Sequence, residues 1–248
     1  TLFFASELKA LLANRELPRK IDPISFDCYL SMGYIPGELC ILKGYNKLPP
    51  AHAMEFNIKS GGKKIWKYWE IPNKSVDQSI SPSDLLDKYE NILESSVKKQ
   101  LIADVPVGVL LSGGVDSSLI TAMAARSSNK VKTFTVRFPG HASIDETGHA
   151  RLIAKYFNTE HIELEASSAS AELIPLLARQ FDEPIADSSM IPTYLVSNLI
   201  HGHCSVALGG DGGDELFGGY GHHSRLLWME KYLKNAPYFL RKNVSSIA

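Results

Sequence analysis

The rhythm of hydrophobic and polar positions changes along the chain. Near the start, Ala5-Ser6-Glu7-Leu8-Lys9-Ala10-Leu11-Leu12 predicts a short helix capped by Ser6. A second apolar-periodic stretch follows Asp22-Pro23, where proline suits a first helical position. After Leu48-Pro49-Pro50 the period drops to two. Met54, Phe56 and Ile58 alternate with polar residues, Ser60-Gly61-Gly62 supplies a turn, and an aromatic return runs through Trp66, Tyr68 and Trp69. This pattern predicts a β-hairpin. The polar stretch from Pro72 to Ser83, with prolines at 72 and 82, predicts a linker.

Beyond it, helix and strand signals alternate. Leu85, Leu86, Tyr89, Ile92, Leu93 and Val97 fall at helical spacing, with Asp84 and Asp87 early and Lys98 and Lys99 late, as the helix dipole favours. Val107-Gly108-Val109-Leu110-Leu111 is a continuous apolar run, suited to a central parallel strand covered on both faces. Helical spacing resumes at Leu119, Ile120, Met123 and Ala124. There follow a strand (Thr133–Phe138), a helix (Glu146–Phe157), a strand (His161–Leu164) and two further helices, the later opened by Pro192 and closed by Gly202. A last strand, Ser205–Leu208, leads into glycines. Such alternation predicts an α/β fold with a doubly wound parallel sheet and ligands beyond the carboxyl ends of its strands.

Composition narrows the class. A chain of 248 residues allows one large domain or two modest ones. Its 44 % hydrophobic and 21 % charged residues exclude a disordered chain, and a net charge of −1 gives no footprint for nucleic acid or an anionic membrane. No apolar run approaches the roughly 20 residues of a spanning helix. Three cysteines, Cys28, Cys40 and Cys204, cannot all pair and lack CxxC spacing, so reduced, packed thiols and a cytoplasmic location are expected. The chain opens at Thr1 inside an apolar stretch and ends just past a helical pattern, which predicts a piece of a longer protein.

Two glycine-rich stretches, each after an apolar strand, carry the candidate chemistry. The first is Leu111-Ser112-Gly113-Gly114-Val115-Asp116-Ser117-Ser118, entering a helix. Paired glycines let backbone N–H groups approach an anion, two serines add hydroxyl donors, and the helix N-terminus adds unpaired N–H groups and a positive dipole end. The loop lacks the Gly-Lys-Ser/Thr of a Walker A motif and the GxGxxG of dinucleotide folds. A phosphate cradle and a plain strand–turn–helix connection capped by Asp116 or Ser117 both fit the loop. A carboxylate at Asp116 would repel phosphate unless a cation lay between them, and magnesium is the hard, oxygen-seeking choice.

The second stretch, Gly209 to Gly221, holds seven of the 18 glycines and three carboxylates, Asp211, Asp214 and Glu215. It offers a second metal ligand and an acid–base group. The plainer alternative makes Asp214 a helix cap and leaves Asp211 and Glu215 solvated. Two rival readings are weaker. His201-Gly202-His203 with Cys204, joined by His222-His223, gives nitrogen and sulfur without the paired spacing of a four-ligand zinc site. Thr1 could suggest an N-terminal hydrolase, but a nucleophile needs an adjacent base and oxyanion donors.

The loop at 112–118 resembles the SGGxDSS signature of the PP-loop ATP pyrophosphatases. Asp182-Glu183-Pro184-Ile185-Ala186-Asp187-Ser188-Ser189, with Ile191-Pro192-Thr193-Tyr194-Leu195, and Gly210-Asp211-Gly212-Gly213-Asp214-Glu215-Leu216-Phe217-Gly218-Gly219-Tyr220 narrow the likeness to the glutamine-dependent asparagine synthetases. Phe4-Ala5-Ser6-Glu7, Lys9-Ala10-Leu11-Leu12, Lys47-Leu48-Pro49-Pro50 and Tyr68-Trp69 resemble the end of that family's glutaminase domain. The resemblance implies a doubly wound parallel sheet of the PP-loop type preceded by the truncated end of an α+β N-terminal-nucleophile glutaminase domain. It divides the chain into an amidotransferase part at 1–72, a linker at 73–82 and the first part of an ATP-binding synthetase domain at 83–248.

The same resemblance implies an activity: ATP activates a side-chain carboxylate as an acyl-adenylate, and glutamine-derived ammonia displaces AMP to give asparagine. By motif, Ser112, Gly113, Gly114, Ser117 and Ser118 hold the pyrophosphate, and Asp116 and Asp214 share Mg2+. Leu111, Val136, Gly209 and Gly210 lie along the adenosine, and Asp211 orients the intermediate or takes the ammonia proton. On pattern alone Val136 is simply core strand. Some family members carry glutamate where this chain has Asp211 and arginine where it has Ser188, so a relative amidating a sugar or antibiotic precursor is an alternative, as is a non-catalytic nucleotide-binding piece. The implied partners are ATP, aspartate or a related carboxylate, and glutamine or ammonia, with neither nucleic acid nor membrane. A homodimer is one assembly open to the full-length chain. The family's amino-terminal cysteine and distal synthetase residues have no match here, so this stretch alone is expected to lack glutaminase and full synthetase activity.

Overall fold

The computed structural model describes residues 1–72, 79–138, 145–166 and 172–233. Residues 73–78, most of the expected linker, lie outside them. In chain order the elements are α1 (Leu8–Leu12), α2 (Pro23–Met32), β1 (His52–Phe56), β2 (Lys63–Lys67), α3 (Pro82–Gln100), β3 (Val107–Leu110), α4 (Val115–Ser127), β4 (Lys132–Arg137), α5 (Thr147–Tyr156), β5 (Glu160–Glu165), α6 (Leu173–Gln180), α7 (Met190–His201), β6 (Val206–Leu208), α8 (Gly213–Phe217) and α9 (Gly221–Leu233). The chain forms two compact units: Thr1–Ser81 with Ser167–Ser197, and Pro82–Ala166 with Asn198–Ala248.

In the first unit, α1 begins one residue later than a Ser6 cap predicts. Glu7 is its extended N-cap and no side chain caps it. Helix α2 forms as expected, because the Asp22 carboxylate accepts the Ser25 N–H at 2.9 Å and Pro23 presets the first turn. That bond holds the Asp22 carboxyl below its usual range. Strands β1 and β2 pair antiparallel, with Met54 opposite Ile65. Asn57 shapes their turn: its side-chain oxygen accepts the N–H groups of Lys59 and Ser60, while Gly61 takes a φ of +70°. Ile58 falls outside the strand and is exposed. Ile35, Cys40 and Leu42 are buried in this unit.

The second unit is built on a four-stranded parallel sheet of order β5-β4-β3-β6. The apolar run at β3 is central, as a strand covered on both faces should be, and Val109 is wholly buried. Gly108 lies so close beneath Phe134 that an added Cβ would stand 2.4 Å from its ring. Val97 of α3 packs with Val109, Met123, Ala124 and Val131, while Leu111 packs with Ala150 and Ala154 of α5. The chain moves outward from β3 through β4 to β5, then returns to place β6 on the other side of β3. The β3–β6 boundary is therefore a topological switch point, where the loops leaving the two carboxyl ends part and leave a crevice. Among the described residues no helix is long and apolar enough to cross a membrane.

Candidate functional site

Both glycine-rich stretches leave strands at this switch point. After β3, Leu111 is buried and donates its N–H to the Phe134 carbonyl at 2.8 Å. The chain then turns through Gly113, whose φ of +93° disfavours any side chain. A Cβ there would also meet the Ala150 nitrogen at 2.9 Å. Gly114 is the N-cap of α4, and no side chain caps that helix. The plain-cap alternative for Asp116 and Ser117 therefore fails. Asp116 stands in the first turn, and the Ser117 hydroxyl faces back into the loop. Its oxygen lies 2.9 Å from that of Ser112 and accepts the Ser112 N–H at 3.2 Å. Ser112 in turn accepts the Gly114 N–H at 3.2 Å. The hydroxyls thus brace the turn. Ser118 is half-buried and donates its N–H to the Gly114 carbonyl.

The second stretch bends just as tightly. Gly212, with φ +93°, is the N-cap of the short α8, again without a side-chain cap, so Asp214 is not the cap the plainer alternative required. Asp211 folds back over its own turn, its Oδ2 2.5 Å from where a Cβ on Gly209 would be. The turn closes directly on the first loop. A Cβ on Gly210 would stand 2.8 Å from the Ser117 nitrogen, and one on Gly213 2.5 Å from the Asp116 Cγ. At Gly210 only bare main chain fits, whereas a side chain at Gly213 would have to displace the Asp116 carboxylate.

Together the loops enclose a cavity of about 350 Å³. Ser112, Gly114, Asp116, Ser117, Gly209, Gly210, Asp211 and Asp214 line it, as do Glu215 and Tyr220. Gly113, Ser118, Leu111 and Val136 do not. Val136 is half-buried in β4, opposite Leu164. Tyr220 carries no role in the sequence reading, and Glu215 enters it only as one of three candidate carboxylates. The Tyr220 hydroxyl donates to Glu215 Oε1 at 2.6 Å. That bond holds the Glu215 carboxyl below its ordinary range and pushes Tyr220 up to about 12, so the pair stays carboxylate and phenol at neutral pH. A tyrosine five residues past a glutamate across two glycines was the available signal. A second, more apolar cavity of about 370 Å³ lies behind the same glycines, walled by Tyr89, Ile92, Leu119, Leu216 and Phe217, with Tyr89 and Phe217 edge to face at 5.3 Å.

The donor set suits magnesium by its chemistry. Asp116 and Asp214 both line a cavity of serines and bare backbone, and this ion takes one or two carboxylates with phosphate oxygens supplying the rest. Among the described residues no three His, Cys, Asp or Glu side chains gather around a metal position. The zinc alternative therefore fails. The His203 ring packs 5.6 Å from Phe134, Cys204 is buried near Gly108, and His222 stacks on Tyr220 at 5.2 Å. All three cysteines are free, with Cys40 and Cys204 buried.

Comparison with known proteins gives this geometry a family. The Asparagine synthase family model matches residues 88–247, and the Glutamine amidotransferase domain model matches residues 1–69. The chain is 34 % identical over 243 residues to a protein of Methanocaldococcus jannaschii provisionally named a glutamine-hydrolyzing asparagine synthetase, a match covering 96 % of this chain and 46 % of that one. It is 31 % identical over 250 residues to glutamine-hydrolyzing asparagine synthetase 1 of Bacillus subtilis, covering 100 % and 38 %. The chain spans less than half the length of either relative. With one family model running through α3 to α9 and both glycine loops, the chain belongs to the asparagine synthase family.

Proposed function

We propose that the cavity between the two glycine loops holds the triphosphate of ATP, and that the full-length protein is a glutamine-dependent amide ligase of the asparagine synthase type. One observation carries this reading: two bare-backbone turns at a sheet's switch point share one cavity lined by Ser112, Ser117, Asp116, Asp211 and Asp214. A carboxylate is a poor electrophile, so amide formation needs activation. The acceptor's carboxylate oxygen attacks the α-phosphorus of ATP, the bond to pyrophosphate breaks, and an acyl-adenylate forms. Ammonia released from glutamine then attacks the carbonyl carbon, AMP leaves with the bonding pair, and nitrogen gives up a proton.

The chain's residues act by binding and orientation. The start of α4, which opens at Gly114 on the cavity wall, offers its backbone N–H groups and positive dipole end to the departing pyrophosphate, where preorganised donors act most strongly, with Gly113 assigned there by resemblance alone. The hydroxyls of Ser112 and Ser117 add to them. Asp116 and Asp214 would hold magnesium, which supplies positive charge to offset the phosphates. Gly209 and Gly210 let the nucleotide approach the main chain, with Leu111 and Val136 assigned to the adenosine by resemblance alone. Asp211 is the group proposed to orient the intermediate or accept the ammonia proton.

Exchange of labelled pyrophosphate into ATP by the full-length protein, tried across a panel of carboxylic acids with magnesium, tests this reading. Exchange dependent on aspartate supports the asparagine synthase. Exchange with a sugar acid or an antibiotic precursor instead assigns a relative with another acceptor. ATP binding with no exchange for any acid contradicts the ligase reading.

A further inference from the structure

The segment 180–187, which belongs to the stretch matched by the Asparagine synthase model, folds within the first unit against residues of the amidotransferase match. Glu183 is its centre. Its side chain is only 17 % exposed, its Oε1 accepts the Ile41 N–H at 2.7 Å, and its Oε2 pairs with Lys47 Nζ. Lys47 also donates to the Ile35 carbonyl at 3.1 Å, so its ammonium is fixed from two sides. Beside it, Asp182 accepts the Lys9 N–H at 3.2 Å, while Lys9 Nζ donates to the Gln180 carbonyl at 2.7 Å. The Ala186 N–H reaches the Gly33 carbonyl at 2.8 Å, and their close approach leaves 3.4 Å between Ala186 Cβ and a Cβ added at Gly33. None of these side chains lines either cavity of the second unit.

We infer that Glu183 is a positioning residue that latches the ligase stretch to the amidotransferase stretch and serves only the glutamine-fed half of the reaction. This rests on the ligase reading above. A partly buried carboxylate with a charged partner and a backbone donor is costly to remove, because both partners are then left unsatisfied. Replacing it loosens the hold of 180–187 on Ile41 and Lys47 while leaving the phosphate loops as they are. Ammonia supplied in solution needs no such latch, whereas ammonia made in one part of the chain and used in another does.

The test compares full-length wild type, Glu183→Ala and Glu183→Gln, fed with glutamine or with ammonium chloride. In Glu183→Ala, glutamine-driven amide formation is expected to fall about tenfold, and ammonium-driven formation to stay within about twofold. Glu183→Gln keeps an acceptor for Ile41 and falls between. Equal loss with both nitrogen sources, or no loss with either, overturns the latch. Hydrogen exchange reads the same contact without activity: the Ile41 and Ala186 amides should exchange about tenfold faster in Glu183→Ala. A wild type that makes no amide from either source contradicts the ligase reading, and unchanged exchange at those amides overturns the latch separately.

Discussion

Gly213 leaves room for Asp116. A Cβ on that glycine would stand 2.6 Å and 2.7 Å from the two Asp116 carboxylate oxygens. The second loop therefore wraps the acidic side chain of the first, which gives the two motifs, almost a hundred residues apart, one shared geometry. It also explains why the turn after β6 is so rich in glycine: a side chain facing the first loop would strike its backbone at Gly210 or displace the Asp116 carboxylate at Gly213.

Replacing Asp116 by Asn keeps the side chain's size and removes its charge. With no cap bond to lose, the fold should survive. Pyrophosphate exchange is expected to fall on the order of a hundredfold or more, the scale of losing metal-assisted charge neutralisation. Exchange kinetics beside a thermal melt check both halves, and unchanged exchange would remove Asp116 from the metal assignment.

Gly210 and Gly213 should respond differently to alanine. At Gly210 the new Cβ meets backbone, the Ser117 nitrogen at 2.8 Å, so the loops must separate at a cost of about 1–3 kcal/mol. At Gly213 it meets only the movable end of Asp116. Stability there should change by less than about 1 kcal/mol, while exchange falls about tenfold to a hundredfold as the carboxylate is displaced. Denaturant melts and exchange assays on both variants separate the two effects.

His161 should give the second unit an acid-sensitive step. Burial pushes its imidazole below the usual 6.5, against the opposing pull of Glu163, with Arg151 adding to the depression. Its Nδ1 lies 3.0 Å from the Thr133 hydroxyl and its Nε2 3.7 Å from Glu163. With the folded value depressed, the unfolded chain binds the proton more readily. The stability of the neutral form is thus fully present above pH 6.5 and is lost as pH falls below it. Melting temperature against pH should show this slope, flatter in His161→Gln.

Tyr220→Phe removes the hydroxyl that holds the Glu215 carboxyl below its ordinary range. Because that bond holds the carboxyl down, its loss should move the Glu215 titration upward, toward the ordinary 4.5. Carbon-detected NMR of the glutamate side chains measures it. An unmoved titration would show that Tyr220 does not set the charge at the cavity's rim.

Much of this architecture can be read from local pattern. The Val107–Leu110 run is apolar throughout because β3 has neighbours on both sides, and the two glycine loops stand out because close main-chain approach leaves a compositional mark. Other features have no local mark. Glu183 and Ile41 are 142 positions apart, and nothing in either stretch announces the other. The wall formed by Tyr89, Leu119 and Phe217 arises only when α3, α4 and α8 meet. At α1, Ser6 has the chemistry of a cap, yet the chain is already extended at Glu7 and starts its turn there. Asp116 and Asp214 also have cap chemistry, but the glycines before them take the cap positions and leave both carboxylates lining the cavity.

The most direct measurement is a crystal structure of the full-length protein with magnesium and a nonhydrolysable ATP analogue. The account predicts the phosphates between the Ser112–Ser117 loop and the Gly209–Asp214 turn, with the ion touching Asp116 and Asp214. Phosphates bound anywhere else on the protein would contradict it.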